Sequence, residues 1–213
     1  MGLLIGIGFI LSIIIVEIII RNYNSIKYHV DSALGRTKLV GLITPTYIKR
    51  ELLRLLSRIP NIEKLVFVDF GCSEGDIVRE VSPYVRESIG VELDPVLYMR
   101  AVNMCNPPNV GIYNMNMIYY QFDDTDTVMY MYEPLWKTPY DEAIAIYRRV
   151  FANLCRINAT NIYVIYCTGS NNQQLSIDFF RRFDFVLLEK KICRYSQIIP
   201  ITSRTIYMYK SQR

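Results

Sequence analysis

The stretch "VDFGCSEGD", Val68 to Asp76, runs an apolar strand into an acid and then sets two glycines, Gly71 and Gly75, four positions apart. Glycines after a first strand let the backbone turn sharply and come close to a ligand. Neither common phosphate cradle is present. A dinucleotide loop needs G-x-G-x-x-G, yet Ser73 stands where the middle glycine belongs and no third glycine follows at the required spacing; a P-loop needs a Gly-Lys-Ser/Thr that is absent. Asp69, Glu74 and Asp76 would repel a pyrophosphate. They suit a cofactor that carries a sulfonium and an ammonium group, and S-adenosylmethionine is such a ligand. Glu92 closes a second strand in "GVELDP", where a carboxylate can accept both hydroxyls of a ribose. Asp94 takes that place if the strand ends later.

A third stretch, "YMYEPLW" from Tyr130 to Trp136, closes a later strand, and if the ligand is S-adenosylmethionine it should face the methyl group. Methyl transfer is an in-line displacement at carbon, so the protein mainly aligns the nucleophile with the sulfonium and excludes water. A lysine ammonium, with an ordinary pKa of about 10.4, must first give up its proton. Glu133 can orient or deprotonate such an amine, and Tyr132 and Trp136 can form an aromatic wall that accommodates a cation.

The composition narrows the alternatives. The net charge of +4 comes from Lys and Arg residues scattered through 213 positions, which gives no argument for nucleic acid. Five cysteines, Cys72, Cys105, Cys155, Cys167 and Cys193, are odd in number and free of any CxxC pair, as expected of reduced thiols in a cytosol-facing domain. His29 is the only histidine. Histidine-rich zinc sites, Ser-His-Asp triads and Cys-His dyads are therefore hard to build, and no metal is expected.

Three segments must position these residues. Leu3 to Ile20 is an apolar run of roughly the 18 to 20 residues that a bilayer-spanning helix requires. Glu17, near its end, can reach toward the headgroups. A signal peptide is the competing reading, but no basic segment precedes the run and no small-residue cleavage site follows it. Arg21, Lys27, Arg36 and Lys38 follow the span, so the positive-inside rule puts the main domain in the cytoplasm and leaves Asn158 in its Asn-Ala-Thr sequon unglycosylated. Residues 1–21 are read as the anchor, 22–43 as a juxtamembrane connector and 44–213 as the domain.

That domain opens with a helix capped by Thr44 or Thr46, with Ile48, Leu52, Leu55, Leu56 and Ile59 on one apolar face. Strand and helix patterns then alternate, and two late strands follow one another without a helix between them. The pattern predicts an α/β fold with a mostly parallel sheet, helices on both faces and an antiparallel pair at one edge.

"VDFGCSEGD", "GVELDP" and "VMYMYEPLW", in this order and spacing, resemble motifs I, II and IV of the class I S-adenosylmethionine-dependent methyltransferases over roughly Thr44 to Lys210. The resemblance implies a seven-stranded Rossmann-like sheet with an antiparallel final strand. It also implies that Asp69 approaches the methionyl ammonium and that Gly71, Cys72, Ser73 and Gly75 line the methionine moiety. Glu92 would hold the ribose and Leu93 would flank the adenine. Asn114 or Asn116 falls where many members place an acid for the adenine amino group, and Ser73 leaves the loop less free than in most members.

Two subfamilies compete. Glu133-Pro134-Leu135-Trp136 is similar to the Asn/Asp-Pro-Pro-aromatic motif of enzymes that methylate amide or exocyclic amino nitrogens in glutamine, adenine or cytosine, and departs from it at Glu133 and Leu135. The order of a hydrophobic N-terminal segment, a short capped helix, "GCSEGD" and "GVELDP" is similar to membrane-anchored protein lysine methyltransferases. A protein lysine is the expected acceptor. The alternatives are RNA, DNA or glutamine amino-methylation and a non-catalytic methyltransferase-like membrane scaffold.

Overall fold

Ile48, Leu52, Leu55 and Leu56 recur at helical spacing, and all four are buried on one side of helix α1, Thr46–Leu56. Ile59, just past the helix end, is buried with them. Glu51 lies on the same buried stripe, where an unpaired carboxylate would be costly. Arg54 and Lys191 both donate to it, the lysine at 2.6 Å, while Arg54 and Arg58 donate to Glu189. Burial alone would raise the Glu51 pKa; the hydrogen bonds and charges of Arg54 and Lys191 outweigh it and hold the group below its ordinary value.

The computed structural model describes residues 44–135, 138–169, 175–194 and 203–212. Its seven strands are β1 (Val66–Phe70), β2 (Glu87–Glu92), β3 (Val110–Asn114), β4 (Thr127–Tyr132), β5 (Ile162–Thr168), β6 (Phe185–Arg194) and β7 (Ser203–Ser211). They form one sheet in the order β3-β2-β1-β4-β5-β7-β6. β1 to β5 pair in parallel, and β7 runs antiparallel to both β5 and β6. The expected antiparallel edge pair is present, with β7 inserted inside β6 so that the earlier strand forms the edge.

Helices α2 (Asp76–Val81), α3 (Pro95–Met104), α4 (Tyr140–Leu154) and α5 (Ile177–Arg181) complete the domain. In "GDIVREVSPYV" the helix stops at Val81, because Pro83 turns the chain into a 3₁₀ segment, Ser82–Tyr84. Alternate residues of the central strands, among them Val68, Phe70, Met129, Met131, Val164 and Tyr166, form one core cluster with α4 and α5. The buried residues of α1, α2 and α3 lie outside that cluster. β1, β4 and β5 are thus covered on both faces, and every one of their residues is buried.

Residues 47–213 form one compact unit. The anchor and connector expected at 1–21 and 22–43 lie outside the described residues, and among the described residues no helix is long and apolar enough to cross a membrane.

Phe151 of α4 is the hub of the α4/α5 layer. Its ring meets Phe179 at 5.2 Å, Phe180 at 5.5 Å and Phe185 at 5.7 Å edge-on, and Phe183 at 5.3 Å in a tilted pair. Phe151→Ala is expected to lower unfolding free energy by about 3–5 kcal/mol in urea titrations; a loss below 1 kcal/mol would show that this layer is not part of the cooperative core.

Candidate cofactor and acceptor site

The carboxyl ends of β1, β2 and β4 meet at the glycine loop. In sheet register Asp69 lies between Gly90 and Tyr130, and the loop amides of Gly71 and Cys72 donate to the Val91 carbonyl at 2.8 and 3.3 Å. Three loop residues take left-handed backbone: Gly71 (φ 76°), Ser73 (φ 53°) and Gly75 (φ 77°). Gly71 must also stay bare, because a Cβ there would sit 2.9 Å from Pro134 Cβ. At Gly75 a Cβ would sit 2.5 Å from Cys105 Sγ and 3.3 Å from Ala101 Cβ. Ser73, standing where the glycine pattern breaks, adopts a conformation that glycine takes freely and other residues take at a cost.

That left-handed turn aims the Ser73 amide at Glu92. Glu92 Oε2 accepts from Ser73 N at 2.9 Å and Oε1 from Asp94 N at 2.9 Å, so the second-strand carboxylate is held by the loop and by its own chain. Asp94, the alternative ribose acid, is the N-cap of α3. Its Oδ1 accepts from Val96 N at 2.8 Å and Leu97 N at 3.1 Å, with Pro95 in the first helical position.

Asp69 and Glu92 are both buried. Among the described residues no hydrogen bond or ion pair reaches the Asp69 carboxylate. Burial, and then the neighbouring charge of Glu92, push the Asp69 pKa well above its ordinary value. Burial also raises Glu92, opposed by the amides of Asp94, Ser73 and Leu93. Cys72 is raised well above its ordinary value, first by burial and then by Asp69 and Glu92, so it is an inert, packed thiol.

The expectation that Glu74 and Asp76 show their charge to a ligand needs correction. Glu74 pairs with Arg100 of α3 at 2.7 Å, and Asp76 pairs with Lys49 of α1 at 2.8 Å and with Arg79 at 3.0 Å. Both acids turn outward and brace the loop against its neighbouring helices.

Leu93 is 65% exposed beside Glu92, an open apolar surface at the β2 end. Asn114 Nδ2 donates to the carbonyls of Glu92 and Leu93 at 2.9 and 3.1 Å, which ties the end of β3 to the end of β2. Asn116 caps the 3₁₀ segment Met117–Tyr119 by accepting from Ile118 N at 3.1 Å.

At the end of β4, Glu133 is 3% exposed and left-handed (φ 45°). Its Oε1 accepts from Thr168 Oγ1 at 2.9 Å and Gly169 N at 2.7 Å, and its Oε2 lies 3.3 Å from Arg204 Nη1. The cation over the Tyr132 ring is Arg204 itself, 5.9 Å from the centroid. Burial raises the Tyr132 phenol above its ordinary pKa, against the Arg204 charge. Trp136 lies outside the described residues. Sequence reasoning missed Thr168, Gly169 and Arg204, since no local pattern joins the ends of three strands.

No family model matches the sequence, and no curated protein matches it. Solved structures do match in fold. The N-methyltransferase NodS from Bradyrhizobium japonicum WM9 is 13% identical with a TM-score of 0.62, covering 78% of this chain and 95% of its own. The magnesium protoporphyrin IX methyltransferase ChlM from Synechocystis PCC 6803, solved with bound S-adenosylmethionine, is 14% identical with a TM-score of 0.59, covering 78% of each chain. An S-adenosylmethionine-dependent methyltransferase from Clostridium acetobutylicum ATCC 824 is 12% identical with a TM-score of 0.60, covering 89% of this chain and 98% of its own. The seven-stranded, Rossmann-like architecture is the fold these methyltransferases share.

Gly75→Ala is expected to lose roughly 1–3 kcal/mol of stability, from left-handed strain and the clash with Cys105. Ser73→Gly should stay within about 1 kcal/mol of wild type, because relief of strain offsets glycine's unfolded-state entropy. Chemical denaturation of both variants checks the pair, and an unperturbed Gly75→Ala would contradict the loop geometry.

Proposed function

We propose that the protein is an S-adenosylmethionine-dependent methyltransferase. One observation carries the reading: Asp69 and Glu92 are buried together at adjoining strand ends, with the first carboxyl short of a partner and raised in pKa. Two buried acids side by side are unfavourable in the ligand-free chain, and a cationic ligand with two hydroxyls relieves both. The same pair would repel a pyrophosphate.

S-adenosylmethionine supplies an electrophilic methyl group on a sulfonium. Around it Asp69 would face the ammonium, Gly71, Cys72, Ser73 and Gly75 would line the methionine moiety, and Glu92 would take the ribose hydroxyls with lone pairs its amide donors leave over. Leu93 would flank the adenine, with Asn114 or Asn116 near its amino group. The acceptor in this proposal is a nitrogen presented at the ends of β4 and β5 beside Tyr132, Glu133 and Trp136, and a protein lysine is the favoured one. The apolar run at the N-terminus would hold the domain on the cytoplasmic side of a membrane, within reach of membrane-associated proteins.

Glu92→Ala in the full chain should weaken binding of S-adenosylmethionine and S-adenosylhomocysteine by about 2 kcal/mol or more in calorimetry, from lost charge-assisted hydrogen bonds. Radiolabel transferred from the methyl donor to a membrane fraction should be recovered as methyl-lysine after hydrolysis. A folded wild-type chain that binds neither ligand would end the methyltransferase reading, and label on an amide or a nucleobase would replace the lysine.

The pH dependence has a definite sign. Folded Asp69 and Glu92 keep protons at pH values where the unfolded chain has lost them, so ligand-free stability falls as pH rises above the ordinary values of 3.8 and 4.5. A cationic ligand favours the ionised acids, so S-adenosylmethionine affinity should climb over the same window. Asp69→Asn should flatten that climb. Affinity that falls with rising pH in the wild type would contradict the assignment.

A further inference from the structure

The Pro134 turn is the wall against which the cofactor loop closes: a single added carbon on Gly71 would meet Pro134 Cβ at 2.9 Å. The residue before that proline, Glu133, is held in left-handed backbone that a non-glycine side chain adopts only when its surroundings fix it. What fixes it comes from two other strands. Thr168 Oγ1 and Gly169 N at the end of β5 donate to Oε1, and Arg204 at the start of β7 pairs with Oε2. A Cβ on Gly169 would fall 1.8 Å from Arg204 Nη1, so the β5 end is shaped to admit the guanidinium.

We propose that Arg204 is a positioning residue for the cofactor loop: through Glu133 it holds the Pro134 turn against Gly71 and so couples the acceptor end of the sheet to the donor site. The coupling runs through contacts only. Releasing the Glu133 carboxylate lets its backbone leave the left-handed region, and Pro134, whose own φ is fixed by its ring, moves with it. Gly71 then loses its wall, and with it the loop geometry that sends the Ser73 amide to Glu92 Oε2.

Among the described residues the titratable groups facing Arg204 are Tyr132 on β4, Glu133 just past its end, Tyr47 on α1, Cys167 on β5, and Cys193 opposite it in register on β6. Burial alone would lower the Arg204 pKa; Tyr132 and Glu133, with Tyr47, more than offset it. The guanidinium therefore stays charged throughout the working range.

The inference rests on the cofactor reading for one arm of its test and stands free of it in the other. In the full chain, Arg204→Met and Glu133→Gln should each weaken S-adenosylhomocysteine about tenfold in calorimetry. The double variant should be no weaker than either single one, and Arg204→Lys should recover most of the loss. Arg54→Met, which breaks the Arg54 pairs with Glu51 and Glu189 away from the glycine loop, controls for general destabilisation and should leave affinity unchanged. In the ligand-free chain, amide hydrogen exchange at Gly71 and Cys72, whose amides donate to Val91, should quicken in Arg204→Met and stay as in wild type in Arg54→Met. Additive single losses, an equal loss in Arg54→Met, or unchanged exchange in the loop would each overturn the proposal. A wild-type chain that binds no S-adenosylhomocysteine but shows the exchange pattern would remove the cofactor reading and leave the coupling intact.

Discussion

Two carboxylates buried beside each other at the ends of adjoining strands are the constraint that the rest of the domain serves. Burying one ionised acid without a partner is unfavourable, and burying a second next to it is more so. The chain accepts this at Asp69 and Glu92 and counters it only on one side, with the Ser73 and Asp94 amides on Glu92. Four cations among the described residues are directed elsewhere. Arg100, Lys49 and Arg79 are on Glu74 and Asp76, and Arg204 is on Glu133. The unfavourable interaction is kept in a compact sheet whose central strands are buried on both faces, and that core is what makes the local cost tolerable.

The same economy of charge separates the two ends of the site. At the glycine-loop end the acids lack cations; at the β4 end the acid has one. Glu133 is as buried as Asp69, yet its carboxylate is met by a hydroxyl, an amide and a guanidinium. A buried ion pair of this kind adds little net stability, since desolvation consumes most of the attraction, but it imposes a geometry that a pair of apolar residues would not. Here that geometry is a left-handed turn ahead of a proline. The loop on the other side of the proline is likewise left-handed at three positions. Strained backbone on both sides of one contact is the arrangement in which a small change at either side is felt at the other.

How much of this can be read along the chain follows from the range of each interaction. The α1 face was legible because Ile48, Leu52, Leu55 and Leu56 carry the helical period within one element. The β2 end was nearly so: Asp94 followed by Pro95 is a local helix-start signal, and it leaves Glu92 as the acid that faces the loop. The insertion of β7 between β5 and β6 was not legible, since strand periodicity gives the face of each residue and says nothing of which neighbour it pairs with. Arg100 and Lys49, the distant partners of Glu74 and Asp76, lie 26 and 27 positions away, on helices whose packing angle no local pattern sets. A reading of charge by loop composition therefore counts three acids at the glycine loop where geometry leaves one of them, Asp69, joined by Glu92 from the next strand.

Ser73 shows why a motif departure is better judged by backbone than by letter. In sequence it reads as a weakened glycine loop. In the structure it takes the left-handed turn regardless, and the turn is what points its amide at Glu92. A glycine there would make the conformation easier to reach in the folded chain and harder to hold against the unfolded one, so the two effects nearly cancel. The loop holds more tightly to the bare face of Gly71 toward Pro134 and of Gly75 toward Cys105, because there a neighbouring atom stands in the way in addition to the left-handed torsion. The requirement at those two positions is steric as well as conformational, the requirement at Ser73 is conformational alone, and a side chain costs more where both apply.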